Sequence, residues 1–211
     1  MNPPDLTQLA ALAAALGWAS GLRLYSVVFL TGLAGWLGWV DLPGGLELLE
    51  SPWMLGASGV MLFVEFFADK IPGLDTVWDA VHTLIRIPAG AALAAAVFGV
   101  DEAQWATAAA LLGGSLAATS HLAKATTRAA ANTSPEPFSN LALSLAGDAV
   151  VPAALWLAWI DPVTFMVLLV IALVAMVATI WMLWRFVRRL FARFGRGDAP
   201  RAVDRAMEGR R

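Results

Sequence analysis

The sequence predicts an all-α protein, a polytopic bundle of about seven transmembrane helices, and three observations support this fold class. Of its 211 residues, 59% are hydrophobic and 14% charged, and the mean hydropathy of +0.70 is above that of soluble domains. Ten Trp against one Tyr are typical of chains anchored at water–lipid boundaries. Apolar runs of membrane-spanning length recur along the chain. We therefore expect the lipid bilayer to be a partner of this protein.

The composition also excludes several classes of function. With no Cys in the chain, disulfides, thiolate zinc sites, thiol nucleophiles and iron–sulfur ligation are ruled out. Nine of the 14 Lys and Arg residues lie at or after Arg185, and no basic face for nucleic acid is present. The opening MNPPDLTQ has no positive n-region, so the first apolar run is expected to be a permanent span. We expect neither a cofactor nor a nucleic-acid partner.

Seven apolar segments can be read along the chain, and some of them are kinked or broken. Pro88 and Pro152 fall inside two segments, where each removes a backbone hydrogen bond and predicts a kink. We expect one transmembrane domain over residues 1–187 and a basic cytoplasmic tail over residues 188–211. The predicted segments cover residues 6–22, 24–40, 53–68, 77–100, 103–131, 139–160 and 162–184.

The distribution of charge predicts the orientation of these segments. If the Arg-rich C-terminal end is cytoplasmic, seven crossings place the N-terminus outside, and every external segment then lacks Lys and Arg. The five basic residues before Arg185 all fall toward the cytoplasmic side. The tail RFVRRLFARFGRG alternates basic and aromatic residues, as segments that bind anionic head groups do. We expect a multi-pass protein of the bacterial cytoplasmic (inner) membrane with a cytoplasmic C-terminus.

Two segments of the chain resemble each other and indicate an internal repeat. DLTQLAALAAALG, from Asp5, matches DEAQWATAAALLG, from Asp101, at a constant offset of 96 residues that pairs Gly17 with Gly113. The predicted repeat units cover about residues 5–101 and 101–161, followed by a final span over residues 162–184. Internal repeats with interrupted helices are typical of transporters, whose sites lie at the repeat interface. The alternative is a chance likeness of Ala-rich helices.

The first predicted span ends with GWASGLRLY. Gly17 and Gly21 are four residues apart and form a face that another helix can approach closely, in this chain or in a homo-oligomer. Arg23 follows and has two interpretations. Its guanidinium either extends to the lipid head groups or points inward and binds an anion.

A charged stripe is predicted on the fourth segment. Asp75, Asp79, His82 and Arg86 follow one another at intervals of four, three and four, which places them on one helix face. Two carboxylates and an imidazole can bind a divalent cation, so Asp75, Asp79 and His82 are metal candidates. The competing interpretation is a ladder of salt bridges, because no second His lies at ligand spacing.

A basic stripe is predicted on the fifth segment. His121, Lys124 and Arg128 are spaced three and four residues apart. Glu136 then lies between two prolines, so the chain must turn, and Ser134 or Ser139 can cap the next helix, whose free amides would face the basic stripe. This arrangement predicts an anion site. The alternative is a cytoplasmic loop whose charges are only solvated.

Asp148 lies inside the sixth segment, four residues before Pro152. A carboxylate at such a depth costs a few kcal/mol on insertion scales, so it must be protonated, paired or in contact with water. Lys124 and Arg128 are the partners that the sequence suggests. The alternative hypothesis is that Asp148 carries a proton.

Three segments carry a resemblance to a known family: SGLRLY, FADKIPGLDTVWDAVHTLIRIPAGA and SHLAKATTRAAANTSPEPFSNLALSLAGD. They resemble the signature blocks of the bacterial membrane family known as domain of unknown function 4126, from about Leu9 to Arg185. The resemblance implies a multi-spanning membrane protein without an established activity. It assigns no residue a role.

Three functions remain open at this level. The first is a small transporter or channel-like protein whose polar cytoplasmic-side cavity binds a small ion or a phosphate-bearing solute. The second is a membrane enzyme or a protein that handles phospholipid or polyprenyl phosphate head groups, with a His as acid or base. The third is a structural or assembly protein. The sequence lacks the motifs known for enzymes of the second kind, which favours a role other than catalysis. The residues expected to line the cavity are Arg23, Asp75, Asp79, His82, Arg86, His121, Lys124, Arg128, Glu136, Asn140 and Asp148.

Overall fold

The computed structural model describes residues 5–71, 73–99, 102–132 and 138–194, with side chains as far as residue 189. Within these ranges the chain is a bundle of α-helices with no β-strand, as the sequence predicts. A short 3-10 helix, Gly44–Glu50, joins the first two α-helices. The helices are α1 (Leu6–Trp36), α2 (Pro52–Ala68), α3 (Leu74–Ala96), α4 (Ala103–Ala131), α5 (Phe138–Ile160) and α6 (Pro162–Phe194).

Local sequence explains where three of the helices begin. Asp5, Ser51 and Asp161 precede α1, α2 and α6, and each side chain accepts a hydrogen bond from the backbone amide three residues on. This cap satisfies one of the amides that a helix start leaves free. Pro52 and Pro162 follow their caps directly, where a missing amide costs nothing.

The first helix is broken at Arg23, whose φ of -150° and ψ of 85° lie outside the helical range. Leu12 and Ala34, on either side of the break, line the same cavity of about 250 Å³. In a straight helix these residues would be about 33 Å apart. The two halves of α1 therefore fold back on each other, in agreement with the predicted boundary between residues 22 and 24. The second half ends at Trp36, earlier than the predicted residue 40, because glycine-containing turns follow.

The helices run alternately between two ends of the bundle. At one end, the side-chain amide of Gln8 donates to the carbonyl of Trp159 at 3.1 Å, and the 3-10 helix packs on the end of α3. At the other end, which we call the charged end, Arg23 contacts Asp148 and Lys124 contacts Asp69. The ionisable groups of α1, α2, α4 and α5 thus meet at one depth.

The helices are those of a membrane protein. Among the described residues, α1, α5 and α6 are each long and apolar enough to cross a membrane, although α1 folds back at Arg23. A fourth span results if the 3-10 helix and α2, which meet at 69°, form one broken span. α3 and α4 carry the polar stripes, which lower their hydropathy. Seven crossings therefore remain a prediction. α6 exposes most of its apolar side chains outside the bundle, as a helix in contact with lipid does.

The last helix is longer than the predicted span, which ends at residue 184. α6 continues to Phe194, so the predicted boundary between residues 187 and 188 falls inside a helix. The physical reason lies in the sequence, because the basic and aromatic residues after Trp184 tolerate helix and the first glycine is Gly195. The remaining residues of the predicted tail, 195–211, lie outside the described ranges.

The centre of the bundle is built on small residues. A Cβ added to Gly17 would lie 2.5 Å from the Cα of Gly113, so α1 and α4 are in backbone contact there. Gly90 brings α3 against the same place, since a Cβ added to it would lie 2.7 Å from the Cβ of Ala117. Such close approach is the usual way in which helices associate in lipid. It also brings the polar stripes of α1, α3 and α4 within reach of one another.

Candidate functional site

A buried network of ion pairs occupies the charged end. It contains five cations and five carboxylates, each with a partner of opposite charge within 3.7 Å. The five cations are all the Lys and Arg residues that precede Arg185. Buried charges are costly unless they are paired, and this network is balanced. Its members are Arg23, Glu65, Asp69, Lys70, Asp75, Asp79, Arg86, Lys124, Arg128 and Asp148, which we call the ion-pair network.

Asp69 is the centre of this network. It follows the last residue of α2, and its side chain is 0% exposed. Its carboxylate lies 3.2 Å from the guanidinium of Arg23, 3.0 Å from the ammonium of Lys124 and 2.9 Å from Arg128. Three cations from two helices thus surround one carboxylate. This is the strongest local concentration of positive charge in the network.

Arg86 organises a second part of the network, deeper along α3. Its guanidinium is fully buried and donates to Glu65 at 2.8 Å and to Asp79 at 2.6 Å. Lys124 lies 3.2 Å from Asp79 and 3.0 Å from Asp69, so it links the two parts. The polar stripe predicted on α3 therefore contains one direct salt bridge, Asp79 to Arg86, while its other salt bridges run to other helices.

Asp148 is paired, but not with the partners that the sequence suggested. Its carboxylate lies 3.0 Å from Arg23 and 2.9 Å from Lys70, whereas Lys124 and Arg128 are engaged by Asp69. The guanidinium of Arg23 also donates to the backbone carbonyl of residue 144 on α5, where the glycine at position 147 leaves room for it. The Asp148 side chain remains 21% exposed, so this carboxylate is not sealed inside the protein.

The metal candidates Asp75, Asp79 and His82 are not brought together as ligands. Asp75 accepts hydrogen bonds from two backbone amides at the start of α3 and from the side-chain amide of Asn132. Asp79 is held by Arg86, and His82 faces other partners. In the part of the chain that the structure describes, no three His, Asp or Glu side chains are arranged to hold a metal ion. The spacing on α3 instead serves hydrogen bonds and ion pairs.

Each histidine ring is held by bonds that favour one tautomer. His82 Nδ1 lies 2.8 Å from the carbonyl of Trp78, which can only accept, so Nδ1 carries the proton and Nε2 accepts from the Tyr25 hydroxyl at 3.2 Å. His121 Nδ1 lies 3.3 Å from the guanidinium of Arg86, which can only donate, so the proton is on Nε2. Both rings are buried and fully engaged.

A cavity of about 310 Å³ lies beside the Asp69 cluster, between α1, α4, α5 and α6. Four charged residues line it, and Arg23, Lys124 and Arg128 all contact the fourth, Asp69; we call this group of lining residues the floor. The other lining side chains are almost all apolar, and two threonines are the exceptions. The cavity therefore combines one cluster of cations with apolar walls. Such a cavity suits a ligand with an anionic group.

Two further residues predicted for the site, Asn140 and Glu136, are not members of the ion-pair network. Asn140 is only 2% exposed, and its side-chain amide has no hydrogen-bond partner among the described residues. Glu136 lies outside the described residues. Sequence reasoning left Glu65, Asp69 and Lys70 out of the site. The signal that could have found them is the presence of two carboxylates, four residues apart, at the end of the otherwise apolar α2.

Comparison with known proteins gives one match. No curated protein and no solved structure matches the chain. The family model described as Domain of unknown function (DUF4126) matches residues 10–185, which include every described member of the ion-pair network. The match covers most of the chain and confirms the resemblance seen in its polar segments. The chain is a membrane protein that belongs to the DUF4126 family.

Proposed function

We propose that the protein is a small transporter of the bacterial cytoplasmic membrane that binds an anionic solute, such as a phosphate-bearing one, at the floor of the 310 Å³ cavity. The observation that carries this proposal is the convergence of three cations on Asp69 beside that cavity. Guanidinium and ammonium groups are the usual partners of phosphate and carboxylate. Asp69 stands where the charge of an incoming anion would be stabilised, and the solute competes with it for Arg23, Lys124 and Arg128.

The charge balance of the network indicates a proton partner. Because five cations already match five carboxylates, one added anion leaves an excess negative charge in a medium that solvates it poorly. Protonation of one carboxylate removes this excess. Asp148 is best placed for it, since its carboxylate is partly exposed and shares Arg23 with Asp69. We propose that one proton accompanies each monoanion.

The arrangement of the helices also supports transport. α1 is broken at Arg23, at the depth of the ion pairs, and α1 and α4 meet at the glycines that the repeat pairs with each other. Broken helices and sites at a repeat interface are features of secondary transporters. The internal repeat and the cytoplasmic position of the charged end are parts of this proposal.

The experiment is flux in liposomes that contain the purified protein. Radiolabelled inorganic phosphate and a panel of organic phosphates are supplied with and without an inward proton gradient, and internal pH is followed with a trapped dye. We expect gradient-driven uptake by the unmodified protein, loss of uptake in Arg128→Ala, and uptake without proton movement in Asp148→Asn. Asp41→Asn, at an exposed carboxylate outside the network, is the matched control and should behave like the unmodified protein. Flux that is indifferent to both network substitutions contradicts the proposal.

A structural role is the second candidate, and the complete burial of the ion pair between Glu65 and Arg86 favours it. Both side chains are fully buried, and no cavity described above includes them. Buried ion pairs can often be replaced by apolar residues of similar size without loss of stability. If the network is only structural, Arg86→Met lowers abundance because it leaves Glu65 without its cation, and adding Glu65→Leu recovers part of the loss. Variants at Lys124 then change abundance without changing solute binding.

A further inference from the structure

We infer that the ligand of this cavity is a single-chain anionic amphiphile, an alkyl phosphate, which enters from the bilayer. This assignment rests on the proposed function in that it gives the chemical class of solute for the same site. It starts from the walls of the cavity above its cationic floor. Trp18, Leu22, Leu143, Val150 and Met176 supply apolar surface there. A fully hydrated inorganic ion gains nothing from such walls, whereas an alkyl chain is stabilised by them.

The position of the cavity opening also favours an amphiphilic ligand. Ala146 and Val150 on α5 and Ala175 on α6 line the cavity and are also exposed at the surface of the bundle. The cavity therefore opens between α5 and α6, two of the helices apolar enough to cross a membrane. Large exposed apolar side chains surround these positions, including Leu145 and Val174. A ligand that arrives through this opening comes from the hydrocarbon region, which an alkyl chain reaches and a bare ion does not.

The floor selects the head group. Two guanidinium groups, Arg23 and Arg128, and the ammonium of Lys124 line the cavity, and Asp69 is the only carboxylate among the lining residues. Arginine binds the oxygens of phosphate in pairs, which gives orientation as well as charge. A cationic amphiphile would meet the same three positive charges and be rejected. Charge complementarity therefore fixes the sign of the head group.

The size of the cavity selects the tail. A volume of about 310 Å³ lies at the lower end of the range for ligand sites, roughly 300–1,000 Å³. One short alkyl chain with its head group is a reasonable occupant, whereas the two long chains of a phospholipid would extend far outside. We take octyl phosphate as the probe for this reason.

The test measures binding of butyl, hexyl and octyl phosphate to the full chain in nanodiscs of zwitterionic lipid, by calorimetry. If the tail lies in the cavity, each added methylene should tighten binding about fourfold relative to the ligand free in water, or on the order of two hundredfold from butyl to octyl, after uptake by protein-free nanodiscs is subtracted. Inorganic phosphate should bind more weakly than octyl phosphate, and octyltrimethylammonium should not compete.

A pair of tryptophan variants separates the cavity from general partition into lipid. Ala175→Trp fills the cavity mouth, whereas Ala178→Trp adds the same side chain to an exposed position of α6 that does not line the cavity. Octyl phosphate should bind at least tenfold more weakly to Ala175→Trp and normally to Ala178→Trp. Arg128→Gln should weaken all the phosphates, and Ala175→Trp keeps the test valid if this buried substitution prevents folding.

The outcomes distinguish the ligand from the function. Equal affinity for phosphate and octyl phosphate, equal affinity of the two tryptophan variants, or preferential binding of a two-chain phosphatidic acid overturns the assignment. If octyl phosphate binds as expected but no flux is seen in liposomes, the ligand assignment stands and the transport proposal fails. If inorganic phosphate is transported with no effect of chain length on binding, transport stands and the amphiphile is excluded.

Discussion

Gly17 on α1 and Gly113 on α4 are in backbone contact, and they occupy the same position in the two segments that match at an offset of 96 residues. Gly21 likewise lies against Ala117, its counterpart at the same offset. The first half of α1 and α4 both run toward the charged end. A local twofold axis that runs along two parallel helices brings equivalent residues of the two helices face to face. The contact therefore supports the proposal of a parallel repeat.

This contact predicts a stability difference between two glycines. Gly17→Ala places a methyl group against the backbone of α4 and should lower the free energy of unfolding by about 1–3 kcal/mol, as overpacking does. Gly56→Ala, on α2, meets no atom within 4 Å and should be neutral or stabilising, since alanine favours helix by about 0.5–1 kcal/mol. Thermal unfolding in detergent measures both. Equal midpoints for the two variants would contradict the close packing of α1 on α4.

Removal of the central carboxylate should destabilise the protein strongly. Asp69→Asn leaves three buried cations short of a partner, for which a cost of about 3–5 kcal/mol is expected. Adding Lys124→Met should recover part of this loss, because one of the cations that lost Asp69 as a partner is then removed. Unfolding in a mixed detergent series measures the coupling between the two substitutions. Additive effects, with no recovery in the double variant, would show that Asp69 and Lys124 do not interact.

The histidine tautomers can be read by nitrogen NMR. We expect His82 as the Nδ1–H form and His121 as the Nε2–H form, because their neighbours Trp78 and Arg86 can only accept and only donate, respectively. Tyr25→Phe removes the donor to His82 Nε2 and should shift the His82 signals alone. His121 serves as the internal control. Identical tautomers for the two rings would be inconsistent with this pattern of donors and acceptors.

The cap of α6 predicts a pH effect. The hydroxyl and the backbone amide of Thr164 donate to Asp161 at 2.6 and 3.0 Å, and these bonds lower the pKa of Asp161 below its ordinary value of 3.8. A lowered folded-state pKa means that the charged form stabilises the fold above the ordinary pKa, and that this contribution is lost as pH falls through the lowered value. Asp161→Asn keeps an acceptor but cannot titrate, so its unfolding midpoint should fall less between about pH 5 and pH 2. Asp41→Asn should keep the slope of the unmodified protein.

The orientation of the bundle can be tested directly, because the chain contains no cysteine. Single cysteines at Asp5 and Asp41 should react with an impermeant maleimide on intact cells. Cysteines at Ile71 and Arg188 should react only after the membrane is opened. Labelling of Asp5 and Arg188 positions from the same side would exclude an odd number of crossings and with it the proposed topology.

Much of the fold follows from local sequence. The all-α class, the membrane location and the starts of α1, α2 and α6 depend on hydropathy and on caps such as Asp5, which a reader can see within a few residues. The break at Arg23 also coincides with a predicted boundary. The helix α6 continues beyond the predicted span, because hydropathy marks where a span leaves lipid and not where a helix stops.

Only part of the membership of the candidate site was predictable. Helical spacing placed Lys124 and Arg128 on one face of α4, and Arg23 was left with an inward and an outward interpretation; all three residues line the cavity. Spacing could not select Asp69 as their shared partner, since that residue comes from another helix. It also assigned Asp148 to the wrong cations for the same reason.

By itself, then, the amino-acid sequence determined that this is a helical membrane protein and that its ionisable side chains gather on particular helix faces, because both properties depend on neighbours within one helix. Only the tertiary structure decided which charges meet. That choice depends on how far α1, α3 and α4 can approach and turn, which the contact between Gly17 and Gly113 governs. The distance between helices, and not the spacing along any of them, makes Asp69 the centre of the network.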